Sequence, residues 1–451
     1  MSEIGDSGRN FMHLLENMLK KAEQVLYEYP LCNSCLGRLF SQYGKGLTNW
    51  ERGLAVKTIL AIKLYEEYMR GERSTDDRIR AIALNSGEGV LSMYKKVFGD
   101  TGLVARPCYI CGGNYTRDLL GRIAIDVCKE LTKYSARSFL IGVVLNSDIF
   151  ARELELATKY GLSTAESIKR ELKREVGKQV REVCGLEPDF TRADAVAIVH
   201  VDKDFVYHVE VQPAPIYIKG LYWKHGRRIS HVPWYTKQGS KKYPLSVQEA
   251  VERALIDVFK AENIVVHGAG REDVDARMIG TGRPLVLEVK KPMVRDVGIS
   301  DLNKLLLERL KECPVKLTLF NYSSRRDVRL IKELSRKKKK VYRLVVYSLN
   351  SPVTREELQL LEEYFRNITI KQKTPLRILR RKKEKERVRK VYIVKTHQVS
   401  PRIFETLVYC DGGLYVKELV HCDQGRTVPC FAGVLGKQLL PLELDVVSVE
   451  E

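Results

Sequence analysis

The stretch of the chain with the residue types and spacing for chemistry is residues 266–292, where glycines, carboxylates and cations lie between two apolar, strand-like segments. Arg271, Glu272, Asp273 and Asp275 lie close together within it. Glycine permits unusual backbone angles, and loops between rigid strands commonly hold reactive groups. A carboxylate held beside cations stays ionised and can act as a nucleophile or a base. The stretch is therefore a candidate catalytic loop.

Three interpretations of this loop remain open on the residues alone. One aspartate could act by itself from a turn after a strand. Asp275 followed by Glu288 and Lys290 is also typical of restriction-type nucleases, in which two carboxylates hold Mg²⁺ and the lysine polarises water. The third interpretation is a salt-bridged hairpin loop without chemistry, because surface ion pairs are common and weak.

Length and charge restrict the class of protein. A chain of 451 residues is too long for one ordinary core, so two or three domains are expected. With 77 Lys and Arg against 57 Asp and Glu, the net charge of +20 favours a polyanionic partner. No apolar run approaches the roughly 20 residues of a membrane span, and the N-terminus lacks a signal-peptide hydrophobic region. We expect a cytoplasmic protein that does not associate with membranes.

The elements of the first half are predicted from hydrophobic periodicity. Helices are expected over residues 9–29, 51–70, 76–97 and 117–134. Ser138 to Leu145 predicts a buried strand, and residues 193–201 and 205–212 predict two strands that pair around a tight turn. Ser163 and Glu166 are typical of a capping box that opens another helix. This order indicates an α+β unit.

Four of the ten cysteines form two Cys-x-x-Cys pairs, Cys32/Cys35 and Cys108/Cys111. Each pair has the spacing that lets two thiolates meet one Zn²⁺, and in a reducing cytoplasm such pairs are more often metal ligands than disulfides. We predict one structural Zn²⁺ site, with two unrelated pairs, one redox-active, as the alternative. The other cysteines are predicted to be small core hydrophobes: Cys128, Cys184, Cys313, Cys410, Cys422 and Cys430.

Residues 218–242 interleave basic residues with tyrosines and tryptophans. Basic groups follow phosphates, and aromatic faces stack on unpaired bases. The segment therefore predicts an RNA-contacting loop, with Arg227, Arg228 and Trp234 as candidate contacts. A basic linker with half-buried tryptophans is the alternative.

Residues 371–390 hold 11 Lys and Arg against two Glu, between apolar flanks. A charge run is usually a solvated face, but these flanks favour a basic hairpin between two strands. Arg377 and Arg381 are candidate phosphate contacts, with salt-sensitive affinity. From Ser246 onward strands and helices alternate, which suits a mixed or antiparallel sheet with helices on one face and leaves a parallel sheet open.

Residues 270–284, GREDVDARMIGTGRP, resemble the signature of the archaeal and eukaryotic tRNA pseudouridine synthases that modify the T-arm at positions 54 and 55. Gly270, Arg271, Glu272 and Asp273 match the turn of that family. The resemblance implies that Asp273 is the catalytic aspartate, that Arg271 contacts substrate and that Asp275 is not the nucleophile.

Two further segments resemble the same family. Residues 337–348 place Tyr342 where the family's tyrosine stacks on the target base and is a candidate for removing the C5 proton. Residues 412–436 resemble its third motif, which implies that Tyr415 and Val416 lie at the base and that Lys417 pairs with the catalytic aspartate. A cation in that place would keep the aspartate ionised.

The resemblance implies an α+β fold in two domains. Residues 1–217 would be a zinc-bearing, THUMP-related α/β domain that binds RNA. Residues 218–451 would be the pseudouridine synthase core, a mixed or antiparallel sheet flanked by helices.

The implied activity is isomerisation of uridine to pseudouridine in the tRNA T-loop, at position 54, 55 or both, after the base is flipped out of its stack. A structural Zn²⁺, no catalytic metal, no redox cofactor and a monomeric chain are expected. Two alternatives are retained. A Mg²⁺-dependent nuclease would need Glu288, and a non-catalytic tRNA-binding protein would need Asp273 for affinity alone.

Overall fold

A computed structural model describes residues 3–71, 76–99, 102–334, 339–379 and 383–450. The chain divides into an N-terminal unit, Met1–Pro213, and a C-terminal unit, Ala214–Glu451. Each unit has hydrophobic core clusters of its own. No helix in these described ranges is long and apolar enough to cross a bilayer.

The N-terminal unit consists of helices followed by a small sheet. Its helices are α1 (Glu3–Glu28), α2 (Asn33–Leu39), α3 (Asn49–Met69), α4 (Asp76–Ser86), α5 (Glu88–Phe98), α6 (Arg117–Lys133), α7 (Ser147–Lys159) and α8 (Ile168–Cys184). Its strands are β1 (Ser138–Leu145), β2 (Glu187–Pro188), β3 (Ala195–Val201) and β4 (Tyr207–Pro213), in the order β2-β1-β3-β4. The predicted strand Ser138–Leu145 and the predicted antiparallel pair β3–β4 are confirmed.

Two helix predictions in this unit are wrong. The helix predicted over 76–97 is two helices, because Gly87 adopts a left-handed backbone with φ of +84° between them. The capping box at Ser163 and Glu166 does not form; the hydroxyl of Ser167 caps α8 instead. The Glu166 carboxylate accepts hydrogen bonds from Asn49 and Arg174, which removes it from any cap.

Helices α2 and α3 approach through two glycines. A Cβ built on Gly37 would lie 1.8 Å from the carbonyl oxygen of Asn49, and one on Gly53 would lie 1.9 Å from that of Asn33. Such distances leave no room for any side chain. The crossing therefore depends on glycine at both positions, and α2 also carries the first Cys-x-x-Cys pair.

Four cysteines predicted as core hydrophobes form disulfides instead. Cys128 on α6 bonds Cys184 at the end of α8, two helices that pack side by side. Cys422 and Cys430 bond across a short loop. Sequence spacing does not reveal a pairing that depends on helix packing, which explains the error. Cys313 and Cys410 are free, and Cys410 is buried in a core cluster as predicted.

The C-terminal unit is built on one large sheet. Its helices are α9 (Val247–Phe259), α10 (Ile299–Arg309), α11 (Arg325–Leu334), α12 (Arg355–Tyr364), α13 (Val416–His421) and α14 (Phe431–Leu435). Its strands are β5 (Ile216–Lys224), β6 (Ile229–Ser230), β7 (Leu245–Ser246), β8 (Asn263–Gly268), β9 (Arg277–Lys290), β10 (Val315–Ser323), β11 (Lys339–Ser348), β12 (Ile368–Lys373), β13 (Glu386–Ser400), β14 (Ile403–Asp411), β15 (Thr427–Val428) and β16 (Leu439–Val449).

Ten of these strands form a sheet in the order β10-β5-β9-β16-β11-β14-β13-β12-β15, with β8 paired to β9. All of its pairs are antiparallel except β9 with β16. The predicted α+β class with a mixed sheet is confirmed. The predicted basic hairpin is also found, since β12 and β13 pair antiparallel with a 3₁₀ turn at Leu376–Ile378 after β12.

Candidate active site

Most of the candidate stretch 266–292 is strand rather than loop, since β8 ends at Gly268 and β9 covers Arg277–Lys290. The catalytic loop is residues 269–276, which join β8 to β9 in the large sheet. The Ala269 amide donates to the Pro284 carbonyl over 2.8 Å, and the Ala276 amide closes a turn onto the Asp273 carbonyl over 3.0 Å. Gly270 has a φ of +77°, a conformation that glycine adopts without strain. The backbone of the loop is therefore fixed at both ends.

A buried charge network lies beneath the loop. The Glu272 carboxylate accepts a hydrogen bond from the Tyr222 hydroxyl at 2.9 Å and pairs with Arg283 at 3.0 Å and with Lys224 at 3.4 Å. Burial opposes ionisation of Glu272, but Arg283 and Lys224 hold its pKa below the usual value. The carboxylate therefore stays charged inside the protein.

Lys224 connects this network to the loop backbone. Its ammonium donates to the carbonyl oxygens of Asp273 at 3.1 Å, Val274 at 3.3 Å and Ile229 at 3.1 Å. Its side chain is 1% exposed, whereas that of Asp273 is 39% exposed. The network thus holds the main chain of the loop and presents the Asp273 carboxylate outward.

Arg377, rather than Lys417, makes the close ion pair with Asp273. The Arg377 Nη2 lies 2.9 Å from Asp273 Oδ2, and its Nε donates to Glu418 at 2.7 Å. Lys417 Nζ is 3.9 Å from Asp273 and binds Asp275 much more closely. Lys417 was predicted to pair with Asp273, but its close partner is Asp275 and its contact with Asp273 is long. Burial opposes ionisation of Asp275, but Lys417 lowers its pKa.

The segment that carries Arg377 is held by the loop after α13. The Asp423 carboxylate accepts a hydrogen bond from the Leu376 amide at 3.0 Å, and Arg426 donates to the Thr374 carbonyl at 2.9 Å. The Cys422–Cys430 disulfide closes that same loop. Arg377 thus reaches Asp273 through contacts far apart in sequence.

Tyr342 and Val416 belong to the same hydrophobic region of the C-terminal unit. Tyr342 packs against the core cluster that contains Val416, the first residue of α13, and Val416 is 4% exposed. Burial raises the pKa of Tyr342 well above its usual value, and the nearby Asp273 carboxylate acts in the same direction. The phenol is therefore neutral in the free protein. Tyr347, five positions on, faces the other side of the sheet.

Two predicted RNA contacts, Arg227 and Arg377, have partners within the protein; those of Arg377 are Asp273 and Glu418. Arg227 donates to the carbonyl oxygens of Asp275 at 2.8 Å and Leu444 at 2.9 Å, and pairs with Asp445 at 2.9 Å. It therefore supports the catalytic loop. This structural role differs from the predicted RNA contact, because a guanidinium can satisfy several acceptors within the protein at once.

The remaining predicted contacts lie nearer the surface, in separate places. Arg228 and Arg271 are exposed. The ammonium of Lys242 lies 4.9 Å from the ring centroid of Trp234, and the guanidinium of Arg387 lies 5.1 Å from that of Tyr415. Arg381 falls outside the described residues.

The two carboxylates of the nuclease alternative, Glu288 and Asp275, are each bound to a different side chain. The Glu288 carboxylate bonds His267 at 2.7 Å and Tyr217 at 3.3 Å, on the strand β9. Asp275 is bound by Lys417. Within the described ranges, the only group of three or more His, Cys, Asp or Glu side chains close enough to share a metal ion is the cysteine cluster of the N-terminal unit.

That cluster consists of Cys32, Cys35, Cys108 and Cys111, whose sulfur atoms all lie within 4.8 Å of one another. Cys32 Sγ and Cys111 Sγ are 3.7 Å apart, close to the roughly 3.8 Å between ligands of a tetrahedral Zn²⁺ with bonds of about 2.3 Å. Arg38 donates to the Cys35 sulfur at 3.1 Å. The four thiols could bind a metal ion, and the donor set fits zinc.

Sequence reasoning missed the buried cations Lys224, Arg283 and Lys340. The signal was present in part, because Lys224 shares the strand face of Ile216, Ile218 and Tyr222, which alternates with exposed positions. A lysine in phase with a buried strand face predicts an internal partner or a ligand.

Comparisons with known proteins agree with this architecture. A family profile described as "Pus10, C-terminal" matches residues 217–450, and one described as "Pus10 THUMP domain, archaeal" matches residues 123–200. The chain is 50% identical over 433 residues to the "tRNA pseudouridine synthase Pus10" of Thermosphaera aggregans, covering 96% of this chain and 97% of that protein. It is 34% identical to the protein of the same name from Methanocaldococcus jannaschii, over 99% of this chain and 96% of that one.

Among solved structures, a pseudouridylate synthase matches 61% of this chain and 82% of its own at 11% identity, with a TM-score of 0.21. A TM-score of that size is too low to establish a common fold. The family profiles and the full-length relatives do establish the relationship, and the predicted family and enzyme class are confirmed. The chain belongs to the Pus10 family of pseudouridine synthases.

Proposed function

We propose that this chain isomerises uridine to pseudouridine in the T-loop of tRNA, at position 54, 55 or both, with Asp273 as the catalytic aspartate. The observation that carries the proposal is the Asp273 carboxylate, which is presented from a fixed backbone, paired with Arg377 and placed near Tyr342. The relatives that cover the full chain are named tRNA pseudouridine synthases.

The reaction breaks the N1–C1′ bond of a flipped uridine and joins C5 to C1′. Asp273 promotes the cleavage, and its carboxylate is held by ion pairs with Arg377 and Lys417 until the substrate arrives. The detached base turns between Tyr342 and Val416, whose apolar faces hold it without fixing one orientation. The C5 proton then passes to water and N1 takes up a proton, which restores the ring with no net change in protons.

The N-terminal unit supplies the second part of the proposal. Residues 1–217 dock tRNA, and residues 218–451 carry out the reaction. Cys32, Cys35, Cys108 and Cys111 hold a structural Zn²⁺, which joins α2 to the turn after α5. Arg228, Arg271 and Trp234 contact the RNA. We also propose that the protein is cytoplasmic and monomeric.

The test is carbodiimide mapping of pseudouridine on an unmodified tRNA transcript, with EDTA present. Wild type is expected to give signal in the T-loop, Asp273→Asn none, and the exposed control Asp301→Asn a normal signal. If Asp275→Asn loses the signal and Asp273→Asn keeps it, Asp275 rather than Asp273 is the catalytic aspartate. If tRNA is bound but no protein gives a signal, the chain is a binding protein. If the tRNA strand is cleaved only after Mg²⁺ is restored in excess of the EDTA, the chain is a nuclease.

A further inference from the structure

Lys340 is a buried cation that pairs with no anion among the described residues. Its side chain lies on β11, with Cys410 opposite on β14 and Val449 opposite on β16, and only 6% of it is exposed. In the part of the chain that the structure describes, its ammonium has no hydrogen-bond or ion-pair partner. Burying an ammonium in this way is costly, which suggests that the cation is kept for a ligand.

The charged groups around Lys340 are already engaged with one another. Arg283 pairs with Glu272 and donates to the Ala269 carbonyl at 2.9 Å. Glu272 is shared between Arg283 and Lys224. The remaining titratable neighbour is the buried thiol of Cys410, whose pKa is raised by burial. Lys340 therefore faces a second cation and no free anion.

The Lys340 ammonium lies at the catalytic loop. A Cβ built on Gly270 would come within 3.6 Å of its Nζ. Lys340 and Tyr342 are two positions apart on one strand, so that their side chains share a face of the sheet. Tyr342 is in turn close enough to Asp273 for that carboxylate to raise its pKa. The unpaired cation is thus beside the residue on which the target base is proposed to stack.

The reaction generates the missing anion. When N1–C1′ breaks, its electron pair leaves with the base, and the negative charge spreads over N1 and the carbonyl oxygens O2 and O4. When C5 bonds to C1′, that charge is consumed. Transfer of the C5 proton to water and uptake of a proton at N1 then restore the conjugated ring. Preorganised donors aimed at charge that develops during a reaction commonly supply the largest single contribution to the rate.

We propose that the Lys340 ammonium donates a hydrogen bond to a carbonyl oxygen of the flipped uracil and stabilises the charge of the detached base. The inference rests on the proposed function and deepens it. Lys340 transfers no proton: it enters and leaves the cycle as an ammonium. Its role therefore differs from those of Asp273 and Tyr342.

The first test is Lys340→Met, measured as the single-turnover rate on tRNA together with tRNA affinity and melting temperature. The rate should fall by about 10²-fold, as for other lost transition-state donors, with affinity within about twofold of wild type. The melting temperature should not fall, because the variant removes an unpaired buried charge. Lys340→Arg should recover part of the rate. Lys395→Met, at an exposed strand position paired with Glu362, is the matched control and should behave as wild type.

The second test is the pH dependence of that rate. Burial and Arg283 lower the pKa of Lys340 to about 8, against opposing effects of Cys410 and Glu272. Because the ammonium is the active form, the wild-type rate should be present below pH 8 and be lost as the pH rises through it. Lys340→Arg should keep its rate into the alkaline range, since arginine stays protonated.

Different results would overturn the inference. A Lys340→Met rate equal to wild type would remove the role, and a slow variant with a lowered melting temperature and an unchanged pH profile would make Lys340 structural. A wild-type rate that rises through pH 8 would make it a base. Failure of the proposed function looks different, because wild type itself would then form no pseudouridine, and the inference would fail with it.

Discussion

Two buried clusters of ionisable groups among the described residues, one in each unit, are composed in opposite ways. The N-terminal cluster brings together four like donors, the thiols of Cys32, Cys35, Cys108 and Cys111. The C-terminal cluster alternates signs, with Glu272 between Lys224 and Arg283. Four thiols together can bind a metal cation. In the second cluster the carboxylate and the two cations already neutralise one another, so this cluster can hold a neighbouring segment of the chain in place. In this chain the paired set positions Asp273.

The largest expected effect is on the like-donor cluster. Cys35→Ser should abolish stoichiometric zinc and destabilise the N-terminal unit strongly, because structural Zn²⁺ can contribute on the order of 10 kcal/mol to folding. Metal analysis and the melting temperature of the full chain measure this. Cys313→Ser, at a free cysteine of the other unit, is the control. Unchanged zinc content in Cys35→Ser would show that the four thiols do not form a zinc site.

The paired cluster should respond to the loss of its single anion. Glu272→Gln leaves Lys224 and Arg283 buried without their carboxylate, which should reduce the free energy of unfolding by about 3–5 kcal/mol. Chemical denaturation measures it. Glu262→Gln removes a surface pair with Lys291 and should change the free energy of unfolding far less, because solvent screens that pair. Equal effects of the two variants would contradict a positioning role for the network.

The two cations at Asp273 should differ in importance. Arg377→Met should slow single-turnover pseudouridine formation by about 10²-fold and Lys417→Met by about 10-fold, since electrostatic support falls with distance and Arg377 is nearer. Both variants should keep the wild-type melting temperature within a few degrees. A larger loss in Lys417→Met would assign the main catalytic support to the Asp275 side of the site.

The smallest expected effect is on the stability of the protein at acidic pH. The pKa of Glu272 is lowered in the folded protein and is about 4.3 when unfolded. Its contribution to stability is therefore fully present above about pH 4.3 and is lost as the pH falls through the lower folded value. The melting temperature of wild type should decline over that window, and that of Glu272→Gln should decline less. Parallel curves for the two proteins would contradict this.

Much of the fold could be predicted, because the information is local. The strand Ser138–Leu145 and the basic hairpin follow from alternation and flanking apolar residues, and the loop around Asp273 follows from glycines and charges. The Arg377 contact could not be predicted in this way. Arg377 reaches Asp273 across 104 positions of sequence, 377 minus 273, through hydrogen bonds from the loop after α13.

The buried cations were missed for a different reason. Lysines are normally assigned to the surface. Lys340 is the last of four consecutive lysines, residues 337–340, so its sequence context does not distinguish it as buried. The phase of β11 identifies it, since Lys340 shares a face with Leu344 and Val346. The Cys128–Cys184 disulfide depends on how α6 packs on α8, which no spacing rule contains.

The glycine pair at the crossing of α2 and α3 has a consequence for how this sequence can vary. Because a methyl group at Gly37 or Gly53 would overlap a backbone carbonyl, even alanine would push the helices apart. Cys32 and Cys35 move with α2, so their sulfur atoms would separate from those of Cys108 and Cys111. In a saturation mutagenesis library selected for bound zinc, positions 37 and 53 should therefore be as intolerant as the four cysteines, although neither glycine offers a ligand.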